Sequence, residues 1–408
     1  MCLYYSNLER LMFERLKEPR PDVVMQVTED FRTDTRTDKI DLSVGVYKDA
    51  SNKSAIFKSV LAAEKQLLDT QTSKAYVGTL GNKAFSDLMA ELLLGRAFCA
   101  KQTAVVQTPG GVSALRLLIE LVAVANPDAK IWVPTPTWGN HLPIIQQVDV
   151  QCFEYPYYDS STGSVDFVAM RDTLINIPKG DIVLLQGCCH NPTGADLSTC
   201  QWDEISEILL ATGAIPLVDM AYQGLSRGLD EDAEGLRILA QKLPELMVAM
   251  TCSKNFAIYR ERAGVALIQC KDADMRPRIL GSMAQLAQAN YGMPPDHGAS
   301  VVQNILSNSD LKQQWLAELA EMRLRINDIR GALAQALRVE TNSDRFDFLK
   351  TQCGLFSLLG LTPEQVGALR DKHAIFMMGN GRCNIAGLRS EDVTKFARAI
   401  ADVVRSAP

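Results

Sequence analysis

Short apolar runs alternate with longer stretches of helical period through the middle of the chain. Runs at Ala104–Gln107, Ile131–Pro134, Val150–Glu154, Ile182–Gln186, Ile215–Asp219, Val248–Thr251 and Val265–Gln269 are each one strand long, and most are dominated by Val, Ile and Leu. Strands covered on both faces read this way, because neither face needs a polar residue. Between them the pattern predicts helices over Gly111–Ala125, Ser198–Ala211 and Pro277–Gln288. The order of elements therefore predicts an α/β fold, with a mostly parallel seven-stranded sheet between helices. Strong helical periodicity over Asp310–Leu337 then ends the alternation and predicts a long helix leading into a C-terminal lobe. That lobe, residues 325–408, and the segment 12–48 are each too small to close a core alone, so both termini are expected to build one smaller α/β domain beside a large domain spanning 49–324. Residues 1–11 stand as an extension with no assigned role.

Composition narrows the class. Of 408 residues, 47% are hydrophobic and 22% charged, which excludes long disorder and is enough apolar material for sizeable cores. A formal charge of -6 leaves no basic face to neutralise a phosphate backbone, which argues against nucleic acid as a partner. No uncharged apolar run approaches the roughly 20 residues needed to cross a bilayer. The best candidate, Leu115–Ala125, is broken by Arg116 and Glu120. The N-terminus mixes Glu9, Arg10, Glu14 and Arg15 into its apolar residues and lacks the continuous apolar stretch of a secretory signal, so a cytoplasmic location is expected. Ten cysteines are scattered without the close pairs that zinc favours; they read as reduced thiols, and no metal is expected. Adjacent Cys188 and Cys189, at the end of an apolar strand, read as packing.

Candidate chemistry gathers where predicted strands end, the usual place for ligands in an open α/β sheet. Thr108-Pro109-Gly110-Gly111-Val112-Ser113 follows a strand and opens a helix, so its N–H groups can face an anion. It lacks the ending of a nucleotide-triphosphate loop and the third glycine of a dinucleotide fingerprint. Asp219 ends another strand with Tyr222 just beyond it, and a buried carboxylate there needs a cationic partner or hydrogen bonds. Ser253-Lys254-Asn255-Phe256 follows a third strand, with Arg262 shortly after. A lysine amine, an acid for a pyridine nitrogen and an anion cradle together describe a site for pyridoxal 5'-phosphate.

These residues carry a resemblance. Val44-Gly45-Val46-Tyr47-Lys48-Asp49, His190-Asn191-Pro192-Thr193-Gly194, the run from Asp219 to Gly224, Ser253-Lys254-Asn255-Phe256 and Gly381-Arg382-Cys383-Asn384 resemble the class I, fold-type I pyridoxal-phosphate aminotransferases, in the aspartate and aromatic branch. The likeness runs from about Met12 to the C-terminus. It implies that Lys254 forms the Schiff base and shuttles a proton at the substrate α-carbon. Asp219 pairs with the pyridinium nitrogen, supported by His141; Trp138 stacks on the ring; Asn191 and Tyr222 bond its hydroxyl oxygen. Gly110, Gly111, Val112, Thr251 and Arg262 hold the phosphate, and Tyr76 reaches the phosphate of a neighbouring subunit, implying a homodimer with shared sites. Many relatives carry Thr or Ser where Val112 stands, so one hydroxyl is missing here. Arg382 clamps the substrate α-carboxylate, with Gly45, Trp138, Asn191 and Phe356 around the substrate.

In aspartate-preferring members a second arginine, contributed by the partner, stands where this chain has Gln288. A neutral amide loses the two-bond, charge-assisted recognition of a side-chain carboxylate, on the order of 1.5–3 kcal/mol. The resemblance thus implies transfer of an amino group from an aromatic or other bulky neutral or polar L-amino acid to a 2-oxo acid such as 2-oxoglutarate, with a general aspartate-type enzyme as the alternative. Gln288 could equally bond a phenol, an amide or a guanidinium. Ala75 beside Tyr76 fits aromatic-accepting members, and Met25 and Met293 are candidates for adaptable apolar surface. Other carbanion chemistry, or binding without turnover, fits less well. Arg382 holds the very group a decarboxylase must expel.

Overall fold

Seven strands form one sheet in the spatial order Thr103–Pro109, Ala263–Gln269, Leu246–Thr251, Ile215–Met220, Ile182–Gln186, Ile131–Thr135, Cys152–Pro156. Only Ala263–Gln269 runs antiparallel to its neighbours; every other pairing is parallel. The computed structural model describes residues 22–405 together with positions 13, 16 and 18, so the extension 1–11 lies outside the described residues.

The alternation within each strand explains its unbroken apolar composition. Ile182, Leu184, Leu217 and Ala249 enter a core on one face, where they meet Leu115 and Leu118 of the helix Gly110–Ala125 and Met283 of the helix Arg276–Tyr291. Val183, Leu185, Val218 and Val248 enter the core on the other face, against Trp202 and Ile205 of Thr199–Thr212 and Phe85 and Met89 of Lys83–Leu94. Each of the seven expected strands is present. One is displaced: the run expected over Val150–Glu154 forms its strand at Cys152–Pro156. Asp149 sits at φ 60° and prolongs the preceding turn, and pairing starts only where Cys152 comes opposite Ile131.

The long helix spans Ser309–Thr341 and serves two cores. Its first half, with Trp315, Leu319, Met322 and Ile326, packs into the core beneath the sheet. Its second half, with Ile329, Leu333 and Leu337, packs with Leu42, Leu369, Phe396 and Ile400 into a separate core. There the strand Ile40–Asp41 pairs in parallel with Ile375–Phe376, and Phe356–Leu358 pairs antiparallel with Arg382–Asn384. Backbone hydrogen bonds thus stitch the early part of the chain to its end. No described helix is long and apolar enough to cross a membrane.

Trp315 ties this helix to the segment after Lys254. Its ring stacks on Phe256 at 4.4 Å and 3°, and its indole N–H donates to the Asn255 carbonyl at 2.8 Å. Trp315→Ala removes a fully buried side chain and orphans that carbonyl, and should cost about 3–5 kcal/mol. A denaturant midpoint within error of the parent would contradict this packing.

Candidate active site

The carboxyl ends of the central strands open into one cavity. It is lined by the sheet residues Gln186, Asp219 and Thr251, the helix start Gly111 and Val112, the loop residues Trp138, Asn191 and Tyr222, and by Ser253, Lys254 and Arg262. Residues far apart in sequence meet there because parallel strands deliver all their carboxyl ends to one edge.

At one end of the cavity sits an acid. Asp219, on Ile215–Met220, is 7% exposed, and His141 Nε2 stands 3.3 Å from its Oδ2. Nδ1 of the same ring is bonded to Thr137 Oγ1 at 2.7 Å, which fixes the imidazole behind the carboxylate. Trp138 meets His141 edge to face at 5.3 Å.

A second group of residues forms an anion cradle. The helix Gly110–Ala125 starts after Pro109 with no side chain capping its first N–H groups, which stay free for a ligand. Gly110 has φ 77°, and a Cβ there would lie 2.5 Å from Arg262 Nη2, so glycine keeps this corner open for the guanidinium. Thr251 and Ser253 hydroxyls bond each other at 2.8 Å, and Arg262 Nη1 approaches Ser253 Oγ at 3.4 Å. Free N–H groups, two hydroxyls and an arginine are the donor set a phosphate monoester requires. The expected hydroxyl is absent at Val112, and Ser253, not singled out from sequence, adds one to the lining.

Lys254 stands between these groups, its Nζ 5.0 Å over the Tyr222 ring. Burial pulls the amine down to about 8; Arg262 pushes the same way and Asp219 opposes both. Such an amine is part neutral near neutral pH, as carbonyl capture demands. Tyr222 accepts from Asn191 Nδ2 at 3.3 Å, and burial pushes its phenol up, with Asp219 adding to the rise.

Just beyond lies an arginine. Arg382 Nη2 donates to the Ser43 carbonyl at 2.8 Å and Nη1 to Asn191 Oδ1 at 3.4 Å, while Nε is buried without a partner. Its guanidinium stacks over Phe356 at 4.4 Å, and burial lowers its pKa. Phe356 also covers Gly45, where a Cβ would come within 2.5 Å of the ring. Asn384 holds this segment down by donating to the carbonyls of Val44 and Val46 at 2.6 and 2.9 Å.

Seven expected site residues do not line this cavity: Gly110, His141, Arg382 and Phe356 touch residues that do, Gly45 lies against Phe356, and Tyr76 and Gln288 are exposed. Tyr76 is 92% exposed, and Gln288 lies exposed on Arg276–Tyr291; neither lines the cavity within one chain. Met25 is exposed on Val23–Thr33, and Met293 accepts the Val77 N–H at 3.1 Å; neither lines it. Sequence reasoning missed Gln186, whose amide accepts from Asn191 N–H and donates to Asn191 C=O, both at 2.9 Å. Its signal was a polar residue closing an apolar strand. Asp232 was also missed: it accepts N–H groups of Gly224, Ser226 and Arg227 and holds the turn after Tyr222.

A half-buried lysine between a carboxylate and an anion cradle, at the carboxyl edge of such a sheet, is the arrangement a pyridoxal-phosphate enzyme requires. The chain belongs to the class I and II aminotransferases, whose family model matches residues 37–400. It is 46% identical over 392 residues to an aromatic-amino-acid aminotransferase of Paracoccus denitrificans, covering 96% of this chain and 100% of the relative. It is 39% identical over 396 residues to an aspartate aminotransferase of Salmonella typhi, with the same coverage of 96% and 100%. A solved aromatic-amino-acid aminotransferase from Burkholderia pseudomallei, covalently bound to pyridoxal phosphate, superposes with a TM-score of 0.93 at 33% identity, covering 96% of this chain and 99% of that one. This protein is therefore a pyridoxal-phosphate-dependent transaminase, moving amino groups from amino acids to 2-oxo acids.

The depressed lysine sets a pH dependence. Only the neutral amine attacks an aldehyde, so capture of pyridoxal phosphate by the apoprotein should accelerate about tenfold per pH unit and level off above about pH 8. Stopped-flow absorbance measures this. A rate still climbing steeply at pH 10 would mean that Lys254 titrates as an ordinary lysine.

Proposed function

We propose that this transaminase prefers aromatic or other bulky neutral or polar L-amino acids, passes their amino group to a 2-oxo acid such as 2-oxoglutarate, and works as a cytoplasmic homodimer with shared active sites. The observation that carries the reaction chemistry is the convergence of Lys254, Asp219 and Arg262 on one cavity.

Asp219, the N–H groups of Gly110, Gly111 and Val112, Thr251 and Arg262 would hold the cofactor, with Asn191 and Tyr222 at its ring oxygen and Trp138 on its face. When bound, the cofactor supplies an electron sink for charge developing at the substrate α-carbon. Asp219 would keep the cofactor's ring nitrogen protonated, with His141 Nε2 3.3 Å behind its carboxylate. Arg382 binds the substrate α-carboxylate through its planar fork, and its unpartnered buried Nε is the donor such a ligand satisfies. Asn191, bonded to both Tyr222 and Arg382, fixes the angle between the two ends of the site. Held there, the substrate's α-proton falls to the Lys254 amine, which removes it and returns it on the far side of the exchange.

The dimer reading is supported by the apolar side chains left exposed along the segment that carries Tyr76: Tyr76 is 92%, Val77 41% and Leu80 36% exposed, side chains that a second copy would cover. In that arrangement Tyr76 and Gln288 complete the neighbour's site. The substrate preference rests on Gln288, because a neutral amide accommodates a neutral ring or amide without leaving a charge unpaired. The aspartate-type alternative draws on the full-length likeness to an aspartate aminotransferase, and requires another cation to serve a distal carboxylate.

Lys254→Ala should abolish transamination while leaving the fold intact; appreciable steady-state turnover in a clean preparation would remove the lysine from its central place. Gln288→Arg should raise kcat/KM for aspartate about 10- to 100-fold, the equivalent of one charge-assisted pair. No change in a folded variant would place the side-chain pocket elsewhere.

A further inference from the structure

Behind the turn that carries Asn191, away from the cofactor cavity, thiols and a carboxylate meet. The sulfurs of Cys189 and Cys353 and a carboxylate oxygen of Asp196 all lie within 4.8 Å of one another. Cys353 Sγ donates to Asp196 Oδ2 at 3.0 Å, and the same carboxylate accepts the N–H groups of Cys189 and His190 at 2.7 and 2.9 Å. The two chain segments touch: Cys353 N–H donates to Gly194 C=O at 2.8 Å, and a Cβ on Gly354 would fall 2.3 Å from Cys189 Cβ. Cys353 lines a solvent-reaching cavity together with Asp196 and Cys188, whereas Cys189 is buried behind it. Transamination uses neither thiol.

We propose that Cys353 and Cys189 form a peroxide-responsive modification site that closes to a disulfide. A hydroperoxide enters by the cavity. The Cys353 sulfur attacks its O–O bond, giving the sulfenic acid and releasing water or an alcohol, with the thiol proton passing through Asp196 to the leaving oxygen. Cys189 then attacks that sulfur; the S–O bond breaks, the S–S bond forms, and the hydroxyl departs with the Cys189 proton as a second water. Two thiols lose two electrons and the peroxide is reduced. The order follows from access, and burial raises the Cys189 thiol well above the usual range.

The bond would tie the turn bearing Asn191 to the segment feeding the strand Phe356–Leu358, which pairs with Arg382–Asn384. Its effect on turnover rests on the proposed substrate-holding roles of Asn191 and Arg382; its formation does not. Holoenzyme treated with hydrogen peroxide, alkylated without reduction and digested, should yield a Cys189–Cys353 linked peptide about 2 Da lighter than its parts. The KM for the amino acid should rise about tenfold, reversibly with dithiothreitol. Cys353→Ser and Cys353→Ala should yield no linked peptide and keep their KM after peroxide; the pair separates loss of the thiol from loss of the bond to Asp196. A Cys188–Cys189 bond, sulfinic acid at Cys353 with Cys189 free, or intact thiols at doses that oxidise exposed Cys99 and Cys200 would each overturn the site. A linked peptide with unchanged KM would overturn the coupling to substrate.

Discussion

Keeping an amine and a carboxylate out of water on the same sheet edge is the constraint on which this molecule turns. An isolated buried charge costs several kcal/mol. Here Asp219 offsets part of the cost for Lys254 by attraction, but burial and Arg262 outweigh it, and the amine settles at about 8. The carboxylate has His141 close behind, itself anchored on Thr137. A flexible loop could not hold such a balance, since small movements would let water in. Asp219 stands on a strand covered on both faces and Lys254 in the turn directly after another, which links the unbroken apolar runs to the chemistry.

A second constraint joins the two cores. Arg330, on the long helix, is 2% exposed, and its donors go to the carbonyls of Cys353, Gly354 and Phe356 and to Ser357 Oγ. Gly194 packs so tightly against this knot that a Cβ would meet the Phe356 carbonyl at 2.5 Å. The turn carrying Asn191 and the strand carrying Phe356 are thereby held in mutual register, and Arg382 rests on both. The Asn191 and Phe356 segments are thus joined largely through the bonds of Arg330 to backbone carbonyls.

Much of this was legible before the fold was known. Each of the seven strands was visible because a doubly covered strand leaves a continuous apolar signature; the edge strand slipped by two positions because its start is decided by pairing with Ile131, not by its own residues. Lys254, Asp219, Arg262 and the Gly110-Gly111 turn were visible because their residue types are costly or conformationally special where they stand. Gln186, Ser253 and Asp232 were not, since a buried amide, a hydroxyl or a carboxylate bonding backbone N–H groups looks in sequence like any polar residue near a turn.

The chain's own pattern thus determined the α/β layering and the inventory of reactive groups, because periodicity and residue chemistry are local properties. Only the tertiary structure decided which of those groups meet, how far burial shifts Lys254, and that Tyr76 and Gln288 stand outside the cavity of their own chain. Those outcomes depend on distance and on exclusion of water, quantities that exist only once remote segments have packed together.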